Sequence, residues 1–207
     1  ASVLINNSGS LDENKKMQLY EVIYDDSLWL INLVENLLSV TRIEDGKMNL
    51  HLETELIEEV INEALNHISH KKDEHRIEVK ANDEFILAKI DAGLIIQVII
   101  NIVDNAIKYT PKGSMISIET FKHKDFVEIQ IADDGAGISD KDKEKLFEMF
   151  YTVKHEVIDG RRGLGLGLAL CKAIIVAHGG NIAVKDNIPH GTIFSFTLPI
   201  KEVEIHE

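Results

Sequence analysis

The sequence predicts an α+β protein: a two-layer sandwich of one mixed β-sheet with helices on one face, preceded by a long helix. Three observations predict it. Segments alternating apolar and polar residues (RIEVKA, SMISIETF, FVEIQIAD, TIFSFTLP) are interleaved with segments whose apolar residues recur every three or four positions. Two of the alternating segments flank a short polar turn and others are separated by helical stretches, as in a mixed sheet. The stretch from Leu11 to Ile43 contains no Pro or Gly and carries apolar residues at helical spacing.

Residues 1–8 read as the end of a helix, punctuated by Gly9-Ser10. On the long helix that follows, Leu19, Ile23, Leu30, Leu33, Leu37 and Val40 form one stripe and Tyr20, Tyr24, Ile31, Val34 and Leu38 a second beside it. Two adjacent stripes are wider than a two-stranded coiled coil needs and suit a four-helix bundle. A helix folded back onto its own domain would carry the same face. Asp45-Gly46 ends it with a left-handed cap, and a linker runs through about Glu53. Residues 56–71 have helical periodicity, and KKDEHR is a solvated turn. RIEVKA and FILAKI read as strands, and Asp91 caps a helix from Ala92 to about Tyr109. SMISIETF and FVEIQIAD form a hairpin around His123-Lys124-Asp125. A short helix over 140–148 is capped by Ser139, another helix covers 165–178, and strands NIAVKD and TIFSFTLP close the chain. The expected division is 1–45 helical, 46–53 linker, 54–201 sandwich and 202–207 tail.

Composition narrows the function. Of 207 residues, 44% are apolar, enough for a sizeable core, and 28% are charged. The net charge of −13 leaves no basic stripe to neutralise nucleic-acid phosphates. Cys171 is the only cysteine, so no internal disulfide can form and a reducing cytoplasm is the expected compartment. No apolar run reaches about 18 residues; any membrane anchor of a parent protein is expected outside these residues.

Three motifs carry chemistry. In QVIINIVDNAIKYTP, Asn101, Asn105 and Lys108 are spaced four and three apart, which puts two amides and an ammonium on one helix face. An amide oxygen suits Mg²⁺, and a lysine one turn on can meet phosphate as a point charge; a solvated polar stripe has the same spacing. In IADDGAGI, Asp133 ends a strand and Gly135 and Gly137 permit a tight turn with close backbone approach. A carboxylate there can accept from an exocyclic amino group, as adenine recognition requires, although Asp-Gly is also a common turn. In GRRGLGLGLALCKAI, Gly163, Gly165 and Gly167 lie at a helix entrance, where exposed N–H groups and the helix dipole favour phosphate. It is neither a Walker loop nor a dinucleotide fingerprint, since Leu168 stands where the third glycine would fall, and no protein-kinase segment is present.

Taken in order, these motifs resemble those of the ATPase superfamily that holds histidine kinases, gyrase-type topoisomerases, Hsp90 chaperones and MutL repair proteins. NIVDNAIKYTP resembles the N box, DDGAGI the first glycine box, KLFEMFY the F box and GLGLGLAL the second glycine box. His178-Gly179-Gly180 and HGTIFSFTLP resemble the closing elements of the histidine-kinase branch, and GLGLGLALCKAIIVAHGG looks most like potassium-sensor kinases of the KdpD type. The resemblance covers roughly residues 50–200, and the long helix resembles the second helix of the dimerisation and phosphoacceptor hairpin.

The resemblance implies a Bergerat-type fold that binds ATP and Mg²⁺, within a protein-histidine kinase that passes phosphate to a response-regulator receiver domain. Asn105 would be the metal ligand, with Asn101 facing the phosphates and Lys108 and Tyr109 lining the phosphate and adenine sides; Asn101, Asn105 and Lys108 would be the catalytic residues. Asp133 would bind the adenine amino group in a pocket shaped by Gly135, Gly137, Ile138 and Thr192. Phe147 and Phe150 would anchor the base of a lid over about 151–163, with Tyr151, Lys154, Arg161 and Arg162 close to the nucleotide. Gly163, Leu164, Gly165, Leu166, Gly167 and Leu168 would hold phosphates by backbone amides. Two departures bear on the γ-phosphate: Thr152 stands where the family commonly has Arg, and Leu164 where it commonly has Thr. None of the nine histidines has the family's acceptor context, an acidic neighbour with Pro a few positions on, and the only prolines are Pro111, Pro189 and Pro199. His67, His70 and His75 are expected at the surface and His178 in a structural role. The acceptor, the rest of the hairpin and a homodimer would belong to the full-length, membrane-anchored protein. The alternatives are an ATP-gated interaction module and an anti-sigma-type serine kinase; the long helix disfavours both.

Overall fold

A computed structural model describes residues 12–20, 22–24, 27, 34, 50–68, 75–81, 85–153 and 165–200. Its strands are β1 (Glu53–Leu56), β2 (Arg76–Ala81), β3 (Leu87–Ile90), β4 (Met115–Lys122), β5 (Phe126–Asp133), β6 (Ile182–Asp186) and β7 (Thr192–Pro199). Its helices are α1 (Ile57–His67), α2 (Ala92–Tyr109), α3 (Asp140–Lys143) and α4 (Gly167–Ala177). Residues 13–20 and 22–24 are also helical. Most of the stretch expected to form a long N-terminal helix, including Leu30, Leu33 and Leu37, lies outside the described residues.

The main sheet has the order β2-β4-β5-β7-β6, with β2 parallel to β4 and every other pair antiparallel. It is the mixed sheet that the alternating segments predict. One face of each central strand is apolar. Ile116 and Ile118, then Val127, Ile129 and Ile131, then Phe194, Phe196 and Leu198 are all buried, each worth roughly 1.5–3 kcal/mol when taken from water. Against that face lie α1, α2 and α4, with α2 in the middle packing on both neighbours. Ile95, Val98, Ile99, Ile102, Val103, Ala106 and Ile107 turn inward along α2, which leaves the face bearing Asn101, Asn105 and Lys108 half-buried.

Several boundaries fall elsewhere than the sequence predicts. β1 begins at the last residue of the expected linker and pairs antiparallel with β3, Glu53 opposite Ile90, in a separate two-stranded sheet. The helix expected to 71 is α1 and ends at His67, and the one expected over 140–148 is the single turn α3 followed by turns. Ser139 does cap it, accepting from the Asp142 amide. His67 is exposed as expected, whereas the ring nitrogens of His75 are enclosed at the start of β2 rather than at the surface; His70 lies outside the described residues.

His178-Gly179-Gly180 is a Schellman cap. The Gly180 amide donates to Ile175 O and the Gly179 amide to Val176 O, with Gly179 in the left-handed region at φ 75°. His178 fastens this end of α4 to the start of α2: its Nε2 accepts from the Asp91 amide (3.1 Å), so the ring proton sits on Nδ1, 2.8 Å from Ile174 O. The Asp91 carboxylate accepts from Leu94 in α2 and from the His51 amide ahead of β1. One aspartate thus ties three segments together.

Candidate functional site

Three groupings line the open side of α2. The first surrounds Asp133, the last residue of β5. Its side chain is only 8% exposed, and Oδ1 accepts from the amides of Gly135 (2.9 Å) and Thr192 (3.2 Å). Burial pushes its carboxyl above the usual value of 3.8, against the two amides, which hold it down. Oδ2 takes part in neither bond. Gly135 sits where a Cβ would come within 2.8 Å of Thr110 Cγ2 and 2.9 Å of Asp133 Oδ1. Gly137 has φ 79° and lies against Gly191 O. Thr192 is buried, and Ile138 packs on the core. Thr110, Asn187 and Gly191 join this grouping although sequence reasoning did not single them out. Thr110 Oγ1 donates to Ala106 O at the end of α2. Asn187 Nδ2 donates to Asp133 O (2.8 Å), and Gly191, at φ 115°, has no room for a Cβ beside that same carbonyl.

The second grouping is at the start of α4. Asn101 stands beside Gly167, where a Cβ would lie 3.6 Å from Asn101 Oδ1. Its Nδ2 is enclosed, and its side chain meets the Cys171 thiol, whose pKa burial raises and this contact lowers. Leu166 is buried and Leu168 half-buried, and Leu166, as the N-cap residue of α4, supplies no side-chain cap. One turn on, Cys171 is fully buried, and burial pushes its thiol up to about 12, so it is chemically quiet. Asn105 lies half-buried between these two groupings, and Lys108 Nζ stands 5.0 Å from the centre of the Tyr109 ring.

The third grouping is the F-box end. Phe147 packs edge-on against Phe194, with ring centroids 6.5 Å apart. Phe150 corrects the expectation that it anchors with Phe147: it is 65% exposed and adopts φ 63°, a left-handed backbone uncommon outside glycine. Its role is carried by the main chain, since its amide donates to Gly165 O (3.0 Å). Gly165, at φ 69°, lies so close to the Phe150–Tyr151 backbone that no Cβ would fit. The Tyr151 hydroxyl donates to Asp142 (2.6 Å) in α3, so it is engaged away from the first two groupings. Lys154, Arg161, Arg162, Gly163 and Leu164 lie outside the described residues.

Along α2 from Asn101 to Thr110 the helical rise gives a span of about 13 Å. One end of that span offers the Asn101 side chain and the first amides of α4; the other offers a buried carboxylate oxygen. This polarity suits a ligand that is anionic at one end and carries an N–H donor at the other.

Residues 90–202 match the family described as histidine kinase-, DNA gyrase B-, and HSP90-like ATPase. Among curated relatives, the sensor protein KdpD of Clostridium acetobutylicum is 42% identical over 199 residues, covering 96% of this chain and 22% of the relative. The chain thus spans about a fifth of that protein's length. Among solved structures, the histidine kinase AdeS of Acinetobacter baumannii superimposes with a TM-score of 0.75 at 25% identity, covering 97% of this chain and 91% of that one. The catalytic domain of the histidine kinase ThkA superimposes with a TM-score of 0.64 at 30% identity, over 72% of this chain and 97% of that one. Sheet order, helix layer and ordered motifs agree with these matches: the chain belongs to the histidine kinase-, DNA gyrase B- and HSP90-like ATPases.

Proposed function

We propose that this chain is the ATP-binding catalytic part of a two-component sensor histidine kinase. In the whole protein, the γ-phosphoryl group of Mg-ATP passes to a histidine outside these residues and then to an aspartate of a response regulator. Residues 54–201 form the ATP-binding unit, and 1–45 belong to the dimerisation hairpin. The observation that carries the reading is Asp133, a buried carboxylate whose Oδ1 is fixed by two amides while Oδ2 remains to accept the amino proton of adenine. The carbonyl of guanine would be repelled there.

At the other end, Asn101 stands beside Gly167 at the start of α4. The first amides of that helix add the helix-terminal field that favours phosphate. Among the described residues no group of three His, Cys, Asp or Glu could cage a metal. Mg²⁺ takes few protein oxygens, and the Asn105 amide oxygen is the ligand proposed. When bound, Mg²⁺ neutralises phosphate charge. This chain's own residues position the nucleotide and exclude guanine; Lys108 adds a point charge. Phosphoryl transfer needs little more than positioning and electrostatics.

Titration calorimetry tests this. ATP should bind at least tenfold more tightly than GTP, and Asn105→Ala should remove the gain that Mg²⁺ gives while leaving the circular dichroism spectrum unchanged. Equal ATP and GTP affinities would overturn the adenine assignment. An undiminished Mg²⁺ effect in Asn105→Ala would overturn the metal assignment.

A further inference from the structure

We propose that Asn187 is a positioning residue that sets base specificity at Asp133; the inference rests on the adenine reading above. The β5–β7 ladder has Ala132 opposite Ile193 as its last pair at this end. One residue further on, Asp133 and Thr192 would face each other, and a continuing ladder would draw the Thr192 amide toward the Asp133 backbone carbonyl. That bond is not made. The Thr192 amide donates to the carboxylate Oδ1 (3.2 Å), and the carbonyl is taken instead by Asn187 Nδ2 (2.8 Å).

The loop is built for this exchange. The Asn187 amide donates to Gly191 O (3.0 Å), which closes the turn and brings its side chain back over the end of β5. Gly191 lets the backbone lie against the Asp133 carbonyl, where any Cβ would collide. His190 Nδ1 sits 2.8 Å from the Asp134 carbonyl and holds the loop to the next residue. A buried carbonyl needs a donor. Without the Asn187 amide, the nearest one is the Thr192 N–H, and the carboxylate would then lose one of the two bonds that hold Oδ1. With both bonds in place the carboxylate is fixed and Oδ2 alone faces the ligand. With one, it can rotate and present either oxygen, which weakens discrimination between an amino group and a carbonyl on the base. Asn187 therefore acts through Thr192, without touching the base.

The test uses the 207-residue chain with Asn187→Ala, which removes the donor, and Asn187→Ser, which returns a shorter one. In the nucleotide-free protein, the Thr192 amide proton shift should follow Asp133 ionisation in an NMR pH titration. In Asn187→Ala that dependence should shrink by more than half, and in Asn187→Ser it should be largely restored. Loss of one such hydrogen bond should raise the ATP dissociation constant roughly five- to tenfold and narrow the GTP-to-ATP ratio. A change in folded fraction cancels from that ratio. If the unmutated chain prefers ATP but Asn187→Ala keeps both the ratio and the Thr192 titration, the inference is overturned. If the unmutated chain shows no preference for ATP, the adenine reading fails instead, and the Thr192 titration still decides whether Asn187 controls the carboxylate.

Discussion

At Asp133 the nucleotide-free protein keeps a carboxylate where burial disfavours its charge. The sign of its effect on stability follows. Folding raises its pKa, so the folded state holds the proton more tightly than the unfolded chain does. The stability this group contributes is complete below its unfolded value of 3.8 and is lost as pH rises through the folded value. At neutral pH the charge is therefore a local liability that a ligand donor relieves. Asp133→Asn keeps an oxygen for the Gly135 and Thr192 amides and removes the charge. It should raise the melting temperature of the nucleotide-free protein at pH 7 by about 2–4 °C while weakening ATP binding, an exchange of function for stability. Scanning calorimetry at pH 7 and pH 4 checks it, since the gain should fade at the lower pH. A lower melting temperature at pH 7 would mean that the carboxylate is stabilising there.

At the scale of elements, one imidazole links the C-terminal end of α4 to the start of α2. His178→Ala leaves the Asp91 amide without its acceptor and should cost about 1–3 kcal/mol in denaturant unfolding. ATP affinity should stay within about twofold, because His178 lies at the far end of both helices from Asn101 and Gly167. A larger loss of affinity would tie this junction to the site. Elements whose signal is local were legible in the sequence. β5, β7 and β2 follow their alternation, and α2 runs from its Asp91 cap to Tyr109 as its periodicity predicts. β1 was not, because ETEL has no strand pattern and is extended only by pairing with β3, over thirty residues on. The same holds within the site. Asp133, Gly135 and Asn101 stand in local motifs, but Asn187 is recruited across 54 positions by a side-chain bond to a carbonyl, and nothing in its neighbourhood announces that. The exposure of Phe150 and its left-handed backbone were not legible either, since its lid-anchoring role was expected only from resemblance to the F box.

For the whole molecule, the question is how an acidic domain with an added helix assembles. Met17, Tyr20 and Tyr24 on the described part of that helix are each more than half exposed. Burying large apolar side chains is worth roughly 1.5–3 kcal/mol each, so this face should self-associate. Sedimentation should give a concentration-dependent mass, and Leu33→Glu should abolish it. A monomer whose melting temperature falls with the same change would instead indicate packing on the ATP-binding unit. No effect on either would remove the helix from the dimerisation reading. With no histidine in an acceptor context, the chain should also bind γ-labelled ATP without forming an acid-labile phosphoprotein; a labelled histidine would overturn the proposal that the acceptor lies elsewhere.

The junction of Phe150 with Gly165 bears on sequence length. A main-chain hydrogen bond and a glycine contact close the chain between Phe150 and Gly165, so lengthening the segment between them adds the entropy of a larger closed loop. That term grows only with the logarithm of length: doubling the segment costs about 0.6 kcal/mol. A peptide tag inserted between Phe150 and Gly165 should therefore leave the sandwich folded, as a circular dichroism melt would show. Gly165 is the residue such remodelling has to keep.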